Sequence, residues 1–190
     1  MVVIRLGCVV LGLALGAGQG PDAPTLPPLV EGDLIPTFRL PVENAESWGS
    51  EVLDLREWYG VDRKRSEQLV VTFGASWCAP CRLELQELSR RQEELSKAST
   101  RVVVVVADRE PQGRREMVLW LMEDLRAPFA IVTDEFGILA RRFRAQDLPA
   151  SYLASSSGRL IWVHTGWDAS TVPELIGKLA SERVTIERRP

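Results

Sequence analysis

The sequence predicts one α/β domain: a mixed β-sheet covered by helices on both faces. Three observations carry that prediction. Apolar runs of strand length alternate with segments of helical period through the middle of the chain. The run "RVVVVVAD" is apolar on both faces, as in a covered parallel sheet. Two later strand-like runs, "SYLAS" and "RLIWVHTG", are separated by "SSSG", a hairpin signal. With 190 residues, 45 % hydrophobic and 26 % charged, the chain has the length for one core plus a leader or tail. Its net charge of −3 gives no reason to expect nucleic acid or an anionic membrane as partner. Three cysteines are too few for a disulfide scaffold, so packing must build the core and the cysteines are free for chemistry.

The elements follow in order. In residues 1–20, Arg5 precedes an apolar stretch from Leu6 to Ala17 that ends in the small residues Gly16, Ala17 and Gly18. That stretch is shorter than the roughly 20 residues that span a bilayer, so it reads as a signal peptide, with an uncleaved anchor as the alternative. Cys8 lies at the start of the apolar run and leaves with the leader. The mature exported protein then has two cysteines, Cys78 and Cys81. Residues 21–30 are a proline-rich linker, 31–184 the domain and 185–190 a tail. In "EGDLIPTFRLP", Phe38 and Leu40 alternate with Thr37 and Arg39 as in a half-buried strand. "GSEVLDLREWYG" reads as a short strand and turn, and Val61 to Gln68 as a solvated loop. "LVVTFGA" is a buried strand, followed by one helix from about Ala79 to Lys97 and the strand "RVVVVVAD". In "GRREMVLWLMEDL", Val118, Leu121, Met122 and Leu125 recur at helical spacing. "FAIVTD" is a strand and "EFGILARRF" a short helix, before the hairpin. The last helix, "STVPELIGKLASER", opens with Thr171 and Glu174 in capping-box spacing and Pro173 in its first turn.

The chemistry lies in "VVTFGASWCAPCRLEL". Cys78 falls where a strand hands over to a helix, so its sulfur meets unpaired backbone N–H groups and the positive end of the helix dipole. The dipole alone supplies about 0.3–2 kcal/mol, enough to lower a thiol by a unit or so. Cys81 lies three residues on, where helix positions are roughly 5–6 Å apart between β-carbons. A disulfide wants about 3.5–4.5 Å, so a small adjustment of the first turn closes it. Pro80 lies within that turn, where a missing N–H costs nothing. A closed zinc site needs four ligands, and the mature chain offers two cysteines and the single His164 beside its carboxylates. An inert structural disulfide closing so short a loop would add little stability. A strand before the pair and a helix after it favour redox chemistry.

"FGASWCAPCRLEL" resembles the thioredoxin-like proteins, and the chain is similar over about residues 31–183 to the exported TlpA/ResA-type thiol–disulfide oxidoreductases. The opening "GDLIPTFRL" resembles that group's G-x-x-x-P-x-F-x-L entry strand. The resemblance implies a thioredoxin-like fold and a redox-active dithiol without metal or organic cofactor. It makes Cys78 the exposed attacking thiolate and Cys81 the buried resolving cysteine, within a Trp77–Cys78–Ala79–Pro80–Cys81 site. Trp77 would flank the site as an apolar platform. "QDLPASYL" resembles the family's loop with a cis-proline at Pro149, where the Leu148 backbone would pair with an extended substrate. Thr72 stands where cytoplasmic thioredoxins carry a buried aspartate, Gln86 where the exported group often has a kinking proline, and Ala150 where a threonine is usual. Asp108 lies near where some relatives place an acid that could manage the Cys81 proton; a solvated strand-end aspartate is the alternative. His164 reads as a surface strand residue, and most of Trp48, Trp58, Trp162 and Trp167 as packing.

The implied function is reduction of cysteines in exported, periplasmic or extracytoplasmic proteins, apocytochrome c being one candidate, with electrons from a membrane donor. A thiol peroxidase of the same superfamily would carry Thr or Ser three residues before its cysteine, where this chain has Ala75. A binding module without cysteine cycling is the other alternative.

Overall fold

The computed structural model describes residues 26–59, 67–126 and 128–187, with side chains up to residue 182. The expected leader, half of the linker (21–25) and residues 60–66 lie outside the described residues. In chain order the elements are β1 (Arg39–Pro41), α1 (Ala45–Trp48), β2 (Val52–Asp54), α2 (Arg56–Tyr59), β3 (Gln68–Gly74), α3 (Ala79–Arg90) and α4 (Gln92–Lys97). There follow β4 (Thr100–Val106), α5 (Pro111–Leu119) with a π-helical continuation over Trp120–Leu125, β5 (Ala130–Thr133), α6 (Ile138–Phe143), β6 (Ala150–Ala154), β7 (Leu160–Thr165) and α7 (Thr171–Glu187).

The five longer strands form one sheet in the order β5-β4-β3-β6-β7, and β1 pairs with β2 in a separate antiparallel hairpin. β3, β4 and β5 run parallel, whereas β6 and β7 are antiparallel to their neighbours, so the sheet is mixed. β3 and β4 lie inside the sheet with both faces covered, which is why their valines need no polar alternation. Alternate residues feed two cores. Leu69, Val71 and Phe73 join Phe38, Leu53, Leu55, Trp58 and Phe143 on one face. Val70 joins Leu85, Leu88, Met117, Leu121, Leu175 and Leu179 on the other. Helices therefore cover both faces, α6 with the hairpin unit on one and α3, α4, α5 and α7 on the other.

Residues 32–44 reach both ends of the sheet. Gly32 N–H donates to Leu160 O and Leu160 N–H to Asp33 O at the start of β7. At β5, Glu43 N–H donates to Ile131 O, and Asn44 accepts from Ile131 N–H at 3.0 Å while donating to Phe129 O at 2.8 Å.

Several local expectations are corrected. Gln68 is the first residue of β3, 4 % exposed, not part of a solvated loop; its N–H donates to Ser99 O. The segment after β2 winds into the helical turn α2. The expected single helix 79–97 runs unbroken through Gln86 but divides at Arg91, whose N–H is shared between the Glu87 and Leu88 carbonyls. In α5 and its continuation the buried residues are Met117 and Leu121, while Met122 is 42 % exposed. The wider π turn moves the later residues off the α-helical stripe. At α7, Glu174 engages Ser170 rather than Thr171: the Ser170 hydroxyl donates to Glu174 Oε1 and Glu174 N–H to Ser170 O. The Thr171 hydroxyl instead accepts from Asp168 N–H and lies 3.2 Å from His164 Nε2. His164 stacks on the Trp162 ring at 5.4 Å.

Candidate active site

The register of β3 against α3 builds the site. Val70, Thr72 and Gly74 point to one face of the sheet, and Cys81, Glu84, Leu85 and Leu88 form the buried stripe of α3. Gly74 lies under Cys81: a β-carbon there would sit 3.3 Å from Cys81 Cβ and 3.4 Å from the Met117 methyl. Its φ is not left-handed, so close approach is the reason for glycine.

Cys78 is the N-cap of α3 and Pro80 lies in the first turn. Cys78 N–H donates to Ala75 O at 3.0 Å, and Cys78 Sγ accepts from Cys81 N–H at 3.2 Å. The two sulfurs are bonded at 2.03 Å, with Cα atoms 5.3 Å apart. Cys81 is buried as expected, at 1 % exposed, but Cys78 is not exposed: at 4 % it is covered by a small apolar cluster with Ala75 and Cys81 against which Leu148 packs. The Leu148–Pro149 peptide is cis. Trp77 is 72 % exposed, whereas Trp48, Trp58 and Trp162 are buried.

One turn inward from Cys81, the Glu84 carboxyl is 1 % exposed. Its Oε1 contacts the Thr72 hydroxyl at 3.2 Å and the Ser151 hydroxyl, and those hydroxyls lie 2.7 Å from each other. Thr72 and Ser151 are paired across β3 and β6, so the sheet sets them side by side. Both hydroxyls donate to Glu84 Oε1, and the Ser151 hydroxyl also reaches Thr72 Oγ1, so the carboxyl sits at the centre of a small polar cluster. Among the described residues Oε2 has no hydrogen-bond partner. Burial pushes the Glu84 carboxyl up to about 7, opposed by the hydrogen bonds from Ser151 and Thr72. The carboxyl beside Thr72 comes from the facing helix. Its sequence signal was an acid on the apolar stripe 81, 84, 85, 88, opposite a neutral strand residue.

Asp108 is 3 % exposed and is not a solvated strand-end residue. Its carboxylate accepts from Ser76 N–H at 2.8 Å and from the Ser76 hydroxyl at 2.7 Å. The structure ties it to the loop before Trp77.

Residues 32–163 match the AhpC/TSA family. The chain is 30 % identical over 121 residues to a thiol:disulfide interchange protein DsbE homolog of Paracoccus denitrificans (60 % of this chain, 62 % of that protein). It is 26 % identical over 102 residues to the thioredoxin-like protein YneN of Bacillus subtilis (54 % and 58 %). The chain thus spans about three fifths of the length of these curated relatives. A crystal structure named as a thiol:disulfide interchange protein DsbE of Chlorobium tepidum superposes with a TM-score of 0.65 at 24 % identity, covering 80 % of this chain and 97 % of that one. With the five-stranded mixed sheet and its covering helices, these matches make the chain a member of the AhpC/TSA family built on the thioredoxin-like fold.

Proposed function

We propose that this protein is a thiol–disulfide oxidoreductase acting on cysteines of exported proteins, in the reducing direction. The observation that carries the reading is the Cys78–Cys81 pair at the N-terminus of α3, bonded sulfur to sulfur beside an exposed tryptophan. In the reduced enzyme the Cys78 thiolate attacks one sulfur of a substrate disulfide. That S–S bond breaks, and one substrate thiolate leaves and takes up a proton. Cys81, deprotonated, then attacks Cys78 Sγ in the mixed disulfide; the second substrate thiolate leaves and two electrons have passed to the substrate. Glu84, one turn from Cys81 and titrating near neutrality, is the buried acceptor for the Cys81 proton, the part the sequence suggested for Asp108. The Leu148 backbone before cis-Pro149 receives the extended substrate, and Trp77 flanks it.

The residues before the domain supply export or an anchor, and a membrane donor supplies electrons; apocytochrome c is one substrate of the right chemistry. Among the described residues no helix is long and apolar enough to cross a membrane.

The test is the reduction potential of the Cys78–Cys81 couple, from equilibration in thiol–disulfide buffers with alkylation of free thiols. A value near thioredoxin's, about −270 mV, supports the reductant; one near DsbA's, about −120 mV, reverses the direction. A pair that never cycles removes the enzyme reading. The AhpC/TSA match favours a second reading, peroxide reduction at one cysteine. Ala75 argues against it, since a methyl group stands where a hydroxyl would be needed, and a peroxide-consumption assay separates the two.

A further inference from the structure

Ser76, between buried Ala75 and exposed Trp77, has all its polar atoms engaged. Its N–H and hydroxyl donate to the two oxygens of Asp108. Its carbonyl accepts from Arg82 Nη2 at 3.4 Å. Arg82 is itself held, pairing with Glu116 Oε1 at 2.9 Å and lying 4.7 Å over the Trp120 ring. Asp108 is fixed by burial at the end of β4, and Arg114 Nη1 donates to its carbonyl at 3.3 Å.

The supports come from one helix. Gly113, Glu116, Met117 and Trp120 follow the i, i+3, i+4, i+7 spacing of a single face of α5, which turns π-helical at Trp120. A β-carbon on Gly113 would sit 2.6 Å from Asp108 Oδ1 and 2.9 Å from Ser76 Oγ, closer than real β-carbons approach. Glycine inside a helix costs about 1 kcal/mol against alanine. Gly113 lacks a left-handed φ, so room for the Asp108–Ser76 pair is what it provides. The Met117 methyl, 3.4 Å from the space over Gly74, brings the same face up to Cys81.

We propose that Asp108 and Arg82, backed by this face of α5, form a positioning clamp on Ser76 that fixes Trp77 beside Cys78 for the capture of protein disulfides. The proposal rests on the oxidoreductase reading. Asp108 touches no reacting atom; it acts through the backbone of Ser76 and Trp77. A small disulfide needs only an accessible sulfur, whereas a protein disulfide must also settle against Trp77. The clamp therefore discriminates by substrate size.

The experiment uses the full chain, pre-reduced, in single-turnover oxidation by insulin or by hydroxyethyl disulfide, so no electron donor is required. Gly113→Ala drives a methyl group into the Asp108–Ser76 pair without changing any charge. The ratio of the insulin rate to the small-disulfide rate is expected to fall about tenfold, the size of one lost hydrogen bond to a charged group. Asp108→Asn lowers the same ratio, and the double variant lowers it no further than the stronger single one, because both release the same bonds. Arg82→Met keeps the apolar stem and adds its own decrease. If Gly113→Ala does not fold, by circular dichroism and thermal melting, Ser76→Ala, which removes the hydroxyl bond to the Asp108 carboxylate, carries the test with the same fall of about tenfold. An unchanged ratio, or a parallel loss of both rates, overturns the clamp. Failure of the unmodified protein to reduce either disulfide instead removes the oxidoreductase reading, and the clamp with it.

Discussion

Glu84 is the acid beside the cysteines whose charge its burial controls. Folded, its carboxyl titrates at about 7 against an ordinary 4.5, because it is buried. The folded state therefore keeps this proton to higher pH than the unfolded chain does. Below pH 4.5 both states hold it and burial carries no penalty; between 4.5 and 7 stability falls as pH rises; above 7 the loss is complete. Relative to Glu84→Gln, which stays neutral, the oxidised protein should lose on the order of 3 kcal/mol across that window, read from urea unfolding at stepped pH. A pH-independent difference between the two proteins would contradict the buried-acid assignment. Gly74→Ala should destabilise the protein by about 1–3 kcal/mol through overpacking against Cys81 and Met117, measured by the same unfolding assay. The two cysteines were legible because they are neighbours in sequence on a strand-to-helix junction. The acid was harder to see: Ser151 is 67 residues from Glu84 and 79 from Thr72, and only the sheet brings them together.

Among the elements, α5 and its π turn separate what a periodicity can say from what it cannot. Helical spacing made Val118, Leu121, Met122 and Leu125 one apolar stripe, but the π turn retains Leu121 in the core and turns Met122 outward. Leu121→Ala should cost about 2–5 kcal/mol of stability. Met122→Ala should stay within about 0.5 kcal/mol, as surface substitutions usually do. Equal effects in urea denaturation would restore the straight helix. The division of α3 from α4 was invisible for a related reason. Neither proline nor glycine marks Arg91, and the break consists of a shared hydrogen bond at one N–H. Strands β3 and β4 were legible because continuous burial selects continuous apolar sequence, whereas a break or a widened turn inside a helix leaves composition unchanged.

At the scale of the molecule, the sheet is a shared wall between two cores, so neither core can melt without uncovering the strands the other packs on. Leu55→Ala on one face and Leu88→Ala on the other should each lower the midpoint of one common transition, seen alike by tryptophan fluorescence and far-UV circular dichroism. Their costs should add within about 0.5 kcal/mol, since the two sites share no partner. Two separate transitions would show independent units. The stretch 32–44 has a different whole-molecule effect. An open sheet ends in unpaired N–H and C=O groups that can template association with another chain. By occupying backbone groups at β5 and at the start of β7, this one stretch blunts both flanks of the sheet, on one side through the Asn44 amide. Asn44→Ala should thus promote edge-to-edge self-association, with light scattering rising with concentration. If it does, this protein can lose its resistance to aggregation through a polar clasp while its cysteine chemistry stays intact.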